Sequence, residues 1–241
     1  TLPDCTTFQD AILMLRKWDA WDSVPPSVRK HLEKADPIHE TLKAREFEKM
    51  SFRIFGVMPN RTGIIPGAKK KAEELGFRPI VLAEGLQAEA GQAGLVVATV
   101  AETIERTGQP FEPPCVLLTS GELLVTVGKE KGIGGRDQEF VLSAVQRIAG
   151  SKNIVMGAVD SDGTDGPGTQ FIDGYEDVPC LGGGIVDGET LKMAEQKGID
   201  ISDELRRHNT TVALSELKSG IVMEKSISLG DLSVTLIAGR S

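Results

Sequence analysis

The sequence predicts an α/β fold in two parts, and three observations support this prediction. Apolar runs alternate with helical patterns between residues 51 and 108, a proline-rich break follows at residues 110–114, and a second set of runs and helices fills the rest. With 241 residues and 40% hydrophobic content, the chain can bury a substantial core. We therefore expect one large domain or two modest domains.

Two helices are predicted near the start of the chain. Residues 4–18 repeat apolar side chains at helical spacing and follow several side chains that can cap a helix. Residues 24–35 begin near two prolines, which are tolerated in the first turn of a helix. The polar residues 35–50 are weakly periodic, and we expect a surface connection there.

From Ser51 the sequence pattern becomes that of a βαβ unit. Two short apolar runs predict strands, and two longer periodic segments that end in glycine predict helices. The strands are residues 51–58 and 78–85, and the helices are residues 63–76 and 87–108. Strands that alternate with helices favour a parallel sheet. The prolines of residues 110–114 then predict a domain boundary, which divides the chain into residues 1–112 and 113–241.

The second part begins with two apolar runs, which predict a hairpin or two sharply turning strands. A glycine-rich loop then opens a helix, and an uncharged strand leads directly into an aspartate cluster. Short helices and a closing strand follow. In order, these segments are residues 115–121, 122–128, 129–150, 153–160, 181–198, 202–208 and 232–239.

Composition excludes several classes of function. The formal net charge of −8 argues against a nucleic-acid partner, and no stretch of 18 uncharged apolar residues predicts a membrane span. Cys5, Cys115 and Cys180 are odd in number and far apart, which indicates neither a disulfide framework nor a zinc site. We therefore expect a cytoplasmic protein that binds a small molecule. The sequence leaves the oligomeric state open, and a homo-oligomer is compatible with it.

The loop GIGGRDQE, residues 132–139, is one candidate site. It places glycines and Arg136 where a loop becomes a helix, and the N–H groups of a helix N-terminus suit phosphate or carboxylate. The alternative is an ordinary helix start, in which Asp137 and Glu139 favour the helix dipole. The loop matches neither the Walker motif nor the dinucleotide-binding fingerprint.

The stretch VDSDGTDGPG, residues 159–168, is the stronger candidate. Asp160, Asp162 and Asp165 follow an apolar strand, and ligands of open α/β sheets bind beyond the carboxyl ends of strands. Such carboxylates can hold Mg²⁺ together with substrate phosphates, or position a hydroxyl nucleophile. An EF-hand is disfavoured because Phe171 stands where its last ligand should be Glu. A solvated Asp/Gly turn remains the alternative, and the glycine run at residues 181–188 is a weaker anion-loop candidate.

Histidines give little support for hydrolase chemistry. His31, His39 and His208 are not paired with a nucleophile in a recognisable motif. The segment that begins at His208 is interpreted as a polar junction between two helices, with a capping role.

These residues carry a resemblance to a known family. GIGGRDQEF, followed after a helix and a strand by DGTDGPG, resembles the C-terminal MOFRL domain of the glycerate 2-kinases, a family also labelled hydroxypyruvate reductases. Upstream, TLPDCTTFQDAILMLRKWDAWDSVPPSVRKHLE and AKKKAEELGFRPIVLAEGLQAEA resemble further segments of the same kinases. The resemblance covers most of the chain.

The resemblance implies a fold and a chemistry. Residues 1–112 would end a Rossmann-like parallel-sheet domain, and residues 113–241 would form a smaller MOFRL-type α/β domain, with the site in the cleft between them. The implied reaction is phosphoryl transfer from ATP, with Mg²⁺, to the 2-hydroxyl of D-glycerate. The implied site residues are Arg136, Asp162 and Asp165 for catalysis, Gly134, Gly135 and Thr164 for the cofactor, and Asp160 and Asp162 for the metal.

The chain also departs from the family pattern. Family members are much longer, and the portion that carries their phosphate loop and a catalytic lysine is absent here, so this chain alone is expected to be inactive without that N-terminal segment. Residues 219–234 match the family's final loop only at their end, and Asp137 stands where Asn is commoner. The alternatives are a binding module that has lost catalysis and an NAD-linked hydroxypyruvate reductase, against which the missing dinucleotide fingerprint argues.

Overall fold

The structure is a computed structural model, and it describes residues 3–51, 53, 63–130, 132–169 and 172–239. The chain forms two compact units, Thr1–Gly56 and Val57–Ser241. The predicted division between residues 112 and 113 remains a prediction.

The first unit contains the two predicted helices and a third, short helix within residues 35–50, where a surface connection was expected. Helix α1 spans Phe8–Lys17, helix α2 spans Pro26–Lys34 and the short helix α3 spans Ala44–Phe47. Thr7 and Asp10 close a capping box, in which the N–H of Thr7 donates to Asp10 Oδ2 at 2.8 Å and the N–H of Asp10 donates to Thr7 Oγ1 at 3.3 Å. Local sequence signals therefore set the start of α1.

The second unit surrounds a six-stranded sheet with helices. Its helices are α4 (Ile64–Glu74), α5 (Ala90–Thr107), α6 (Arg136–Ile148), α7 (Thr190–Lys197), α8 (Ile201–Arg206) and α9 (Thr210–Leu217). Its strands are β1 (Arg78–Leu86), β2 (Cys115–Gly121), β3 (Ile154–Asp160), β4 (Gly183–Asp187), β5 (Gly220–Ile221) and β6 (Asp231–Ile237).

The sheet order is β1-β2-β6-β3-β4-β5. Strands β1 and β2 pair in parallel, whereas the other neighbouring pairs are antiparallel. The α/β class is confirmed, and the sheet is mixed rather than wholly parallel. Most of the strand predicted at residues 51–58 lies outside the described residues.

The main core lies between one face of the sheet and the helices α5 and α6. Phe140 and Leu142 of α6 are completely buried, as are Met156 of β3 and Ile237 of β6. Helix α6 is buried over most of its circumference because it contacts α5, the sheet and the short C-terminal helices. A second cluster packs α4 against the opposite face of β1 and β2.

The predicted closing strand, residues 232–239, is confirmed as β6, which lies in the middle of the sheet. Two other predictions about elements need correction. Residues 122–128 are not a strand and form no hairpin with β2; there, Leu124 makes an isolated parallel bridge with Glu89. The glycine run forms the start of β4, where Gly183 has a φ of 153° and an added Cβ would lie 1.9 Å from the carbonyl oxygen of Ala158.

Candidate active site

Three strand ends meet at one edge of the sheet. Strand β6 runs antiparallel to both β2 and β3, so Asp231, its first residue, pairs with Gly121 at the end of β2 and with Asp160 at the end of β3. Helix α6 begins at the same edge with Arg136. The topology therefore brings Glu122, Asp160 and Asp231 around one guanidinium group.

Arg136 is held by these three carboxylates. Its Nε donates to both oxygens of Asp231 at 2.9 Å, and its Nη2 lies 2.8 Å from Asp160 Oδ2 and 3.0 Å from Glu122 Oε1. The side chains of Asp160 and Asp231 are only 6% and 4% exposed. The bond to Asp231 raises the pKa of Arg136, and burial raises the pKa of Asp160 against the opposing effect of the Asp162 N–H and of Arg136. Arg136 thus has a fixed orientation as well as a charge.

Asp165 caps helix α6 from a distant loop. Its carboxylate accepts hydrogen bonds from the N–H groups of Asp137 at 3.3 Å and Gln138 at 2.9 Å, and its carbonyl oxygen accepts one from Gln138 Nε2 at 2.8 Å. Gly135 permits this approach, because an added Cβ would lie 2.3 Å from Asp165 Cγ. Burial raises the pKa of Asp165 to about 6, although the two N–H donors oppose the shift.

Asp137 is the next residue of α6, and its surroundings differ from those of Arg136. It is completely buried, and neither carboxylate oxygen has a hydrogen-bond partner among the described residues. Burial, and then the charge of Asp165, raise its pKa well above the usual range. The site therefore favours the protonated form of Asp137.

The loop after β3 is a hydrogen-bonded turn. The N–H of Asp162 donates to Asp160 Oδ1 at 3.2 Å, and the N–H of Thr164 donates to Asp162 Oδ1 at 2.8 Å. Both oxygens of Asp160 are thus engaged, since Oδ2 accepts from Arg136.

A magnesium ion would find a partial protein site in this turn. Across the described ranges, no group of three or more His, Cys, Asp or Glu side chains could hold a metal ion. Mg²⁺ needs only one or two carboxylates when phosphates and waters complete its shell. Asp162 fits such a role through its second oxygen, whereas both oxygens of Asp160 are already bonded to protein donors.

A cleft of about 480 Å³ opens beside the Arg136 cluster. Its polar lining consists of Glu122, Arg136, Glu139, Asp165 and His208. Its apolar lining is the loop after β2, with Leu123, Leu124, Val125 and Val127. The cleft can therefore contact both a charged group and an apolar group of one ligand.

The predicted site residues divide into two groups. Arg136, Asp165, Gly134 and Gly135 line the cleft. Among the described residues, Asp160, Asp162 and Thr164 do not belong to its lining: the first lies against Arg136, and the other two belong to the turn after β3.

Four acidic or basic side chains at this site were not predicted from sequence: Glu122, Glu139, His208 and Asp231. Glu122 follows β2 directly, as Asp160 ends β3, so the rule about strand ends could have found it. Asp231 lies 95 residues from Arg136 and has no local signal. His208, interpreted as a junction residue, also lines the cleft.

The glycines of the loop before α6 are needed for contacts within the protein. An added Cβ at Gly132 would lie 2.0 Å from the carbonyl oxygen of Arg207, and one at Gly134 would lie 2.4 Å from Thr210 Oγ1. The loop therefore packs directly on the junction between α8 and α9. Its role in cofactor binding remains a prediction.

Comparison with known proteins places this site in a family. Residues 115–228 match the MOFRL family. This region belongs to that family. The MOFRL region contains the lining of the cleft, while Asp231 of the Arg136 cluster lies just beyond the match.

The relatives extend the similarity over nearly the whole chain. The chain is 37% identical over 219 residues to the glycerate 2-kinase of Pyrococcus horikoshii, and 30% identical over 238 residues to the D-glycerate 2-kinase of Thermotoga maritima. These matches cover 90% and 98% of this chain but 46% and 51% of the relatives. The chain thus spans about half the length of these relatives.

Solved structures agree with this similarity. A glycerate kinase structure from Thermotoga maritima matches with a TM-score of 0.70 and 29% identity, over 98% of this chain and 51% of that one. A structure from Pyrococcus horikoshii matches with a TM-score of 0.66 and 32% identity, over 100% of this chain and 52% of that one. The resemblance inferred from sequence is confirmed: the chain is similar to the MOFRL-containing, C-terminal part of glycerate 2-kinases.

In the described part of the chain, no helix combines the length and apolarity that crossing a membrane requires.

Proposed function

We propose that this chain is part of a kinase that transfers a phosphoryl group from ATP to the 2-hydroxyl of D-glycerate. The relatives named glycerate 2-kinase support the kinase class. The observation that carries the proposal is the fixed position of Arg136, which lies at the wall of the cleft within the MOFRL region.

The geometry around Arg136 suits phosphoryl transfer. This reaction depends on positioning and on stabilising charge at the phosphoryl oxygens, and it requires little covalent chemistry from the protein. The carboxylates of Asp160 and Asp231 orient the guanidinium, so no reorganisation is needed when the charge develops. Arg136 Nη1 has no hydrogen-bond partner among the described residues, which leaves it for a phosphate oxygen.

The remaining predicted residues take supporting roles in this proposal. Asp165 keeps the N-terminus of α6 in place, and Gly134 and Gly135 keep the loop close to it. Asp162 would contribute a carboxylate ligand to Mg²⁺, which neutralises phosphate charge when bound. Thr164 holds the turn that presents Asp162.

We also propose that activity requires the portion of the protein that corresponds to the other half of the relatives. This chain matches 46% and 51% of the two kinases, and a phosphoryl-transfer site needs groups that hold both substrates. The division at residues 112 and 113 is part of the same proposal, with the site between a Rossmann-like domain and the MOFRL domain.

The test uses the full-length protein. D-glycerate, ATP and Mg²⁺ are supplied, and the formation of 2-phosphoglycerate and ADP is measured. We expect activity that falls by roughly a hundredfold or more in Arg136→Lys, which keeps the charge but loses the planar fork, and also in Asp162→Asn. Arg147→Ala, at an exposed ion pair with Glu102, is the control and should retain full activity.

The same preparation tests the alternative activity. A protein of Agrobacterium vitis that is 29% identical over 239 residues has a name that refers to hydroxypyruvate reductase. Oxidation of NADH or NADPH with hydroxypyruvate, without phosphorylation of D-glycerate, would replace the kinase proposal. The absence of both activities in a folded protein would favour a binding module.

A further inference from the structure

His208 occupies an unusual backbone position at the end of α8. Its φ is 54°, in the left-handed region, where glycine is the usual residue. The N–H of His208 donates to Leu205 O at 3.1 Å, and the N–H of Asn209 donates to Glu204 O at 2.8 Å, the two bonds of a Schellman motif. A histidine at this position costs free energy that glycine would not.

The imidazole is held from one side. Its Nδ1 lies 2.5 Å from Glu139 Oε1, and the Glu139 side chain is only 10% exposed. A carboxylate at Nδ1 accepts a hydrogen bond from that nitrogen and sets the orientation of the ring, so Nε2 is also a donor only when the ring carries both protons, as imidazolium. Nε2, the other ring nitrogen, has no hydrogen-bond partner within the described ranges.

His208 lies in the same cleft as Arg136. The His208 side chain is 20% exposed, and the Arg136 side chain is 24% exposed. The cleft therefore has two groups that can donate hydrogen bonds to an oxyanion, the guanidinium of Arg136 and the imidazolium form of His208, and each is oriented by a buried carboxylate. Arg136 and Glu139 both belong to the first turn of α6, so one helix end positions both donors.

We propose that His208, oriented by Glu139, contacts the ligand in this cleft in its imidazolium form and donates a hydrogen bond from Nε2 to an oxyanion, either a carboxylate or a phosphate. The inference deepens the kinase function proposed above, and it rests on that function only for the identity of the oxyanion. Glu139 acts as a positioning residue because its bond to Nδ1 orients the ring of His208.

The first experiment is an NMR titration of the intact protein with ring-labelled histidine. The His208 signal is the one that disappears in His208→Gln. Inorganic phosphate, D-glycerate and sodium chloride at matched ionic strength are the three additions. We expect a saturable change of the His208 ring signals with phosphate or D-glycerate and no change with chloride, and the more effective anion identifies the source of the oxyanion.

The second experiment separates ligand contact from a structural role. If D-glycerate shifts the His208 signal, His208→Gln should raise the KM for D-glycerate by roughly tenfold to a hundredfold, because the lost bond is charge-assisted. If phosphate shifts it, the KM for ATP should rise by the same factor. In either case kcat should change far less. Glu139→Gln should change the ring nitrogen signals of His208 and raise the same KM.

A glycine variant provides the matched control. Lys218 also has a left-handed backbone, with a φ of 57°, and makes the same pair of bonds at the end of α9. Lys218→Gly should relieve the backbone cost and leave KM unchanged. His208→Gly should relieve the same backbone cost and still show the raised KM.

The outcomes distinguish this inference from the proposed function. Phosphorylation of D-glycerate with no response of the His208 signal to either anion would overturn the inference and leave the kinase proposal intact. A saturable response to phosphate without kinase activity would support the inference and overturn the kinase proposal. An unchanged KM in a folded His208→Gln enzyme would also overturn the inference.

Discussion

Two neighbouring residues at the start of α6 have opposite electrostatic surroundings. Arg136 is bonded to three carboxylates, whereas Asp137 is completely buried with no hydrogen-bond partner among the described residues. The three carboxylates near Arg136 share one cation, whereas Asp165 accepts two backbone N–H groups and the pKa of the buried Asp137 is raised. Aspartates near this helical turn therefore differ in their effect on stability. Those paired with Arg136 stabilise the site, whereas Asp137 destabilises the fold when it is ionised.

The largest effect on stability is expected when the cation of Arg136 is removed. Arg136→Ala leaves Asp160 and Asp231 buried without their partner, and we expect a loss of about 3–5 kcal/mol in the free energy of unfolding. Urea denaturation followed by circular dichroism measures the change. If the variant does not fold, Arg136→Lys should fold with a smaller loss. A loss below about 1 kcal/mol in Arg136→Ala would show that the cluster is not a structural unit.

The second change is directed at the cap on the other side of the turn. In Gly135→Ala the new methyl group would lie 2.3 Å from Asp165 Cγ, so the carboxylate has to move away from the N-terminus of α6. We expect a loss of about 1–3 kcal/mol. Gly67→Ala in α4 is the control, because no atom lies within 4 Å of the added Cβ, and it should gain about 0.5–1 kcal/mol. If Gly135→Ala and Gly67→Ala changed the stability equally in thermal denaturation, the close contact between Gly135 and Asp165 would be contradicted.

The third change, Asp137→Asn, should remove the free-energy cost of burying the Asp137 carboxylate. The pKa of Asp137 is higher in the folded protein than in the unfolded chain, where it is near 3.8. Below pH 3.8 the group is protonated in both states and does not lower the free energy of unfolding. Above pH 3.8 the unfolded chain loses the proton more readily, so the free energy of unfolding falls as the pH rises. Asp137→Asn should therefore match the original protein near pH 3.5 to 4 and exceed it at pH 7 by roughly 1–3 kcal/mol. Unfolding free energies measured across this range check the sign. A difference that does not change with pH would show that Asp137 does not titrate on unfolding.

The smallest effect is expected at an exposed pair. Arg147 Nη1 lies 3.4 Å from Glu102 Oε2, and the two side chains are 47% and 41% exposed. Arg147→Ala should change the unfolding free energy by less than about 0.5 kcal/mol, because solvent screens exposed charges. Differential scanning calorimetry at low and high salt is the measurement. If Arg147→Ala lowered the unfolding free energy as much as Arg136→Ala does, burial would not explain the difference between the two arginines.

Local patterns predicted the parts of the fold that local interactions determine. Helices α1 and α6 and strand β3 were predicted from periodicity and turn residues, and Asp160 was expected at the end of its strand. Residues 122–128 have the composition of a strand but do not form one. Among the described residues, backbone pairing there is limited to the segment around Glu89. The N–H of Leu123 donates to Asp231 Oδ2 at 2.7 Å and that of Thr126 donates to Glu89 Oε2 at 3.1 Å, so side-chain carboxylates replace part of the strand pairing.

The candidate site was predicted only in part, for the same reason. Arg136 and Asp165 were identified because each stands in a distinctive local motif. Asp231 was not, because its role depends on where β6 enters the sheet, and a strand pattern carries no information about its neighbours. His208 was assigned a capping role, and its contact with Glu139 depends on the packing of α8 against α6.

The central position of β6 has a consequence for how the site assembles during synthesis. Strands β2 and β3 cannot be joined into one sheet until β6 has been made and inserted between them. Arg136 therefore leaves the ribosome 95 residues before the carboxylate that holds its Nε. Until then the guanidinium cannot adopt its fixed orientation, and closing so large a loop is an entropically expensive late step. Translation arrested before β6 should thus leave a nascent chain in which β2 and β3 each expose one unpaired edge.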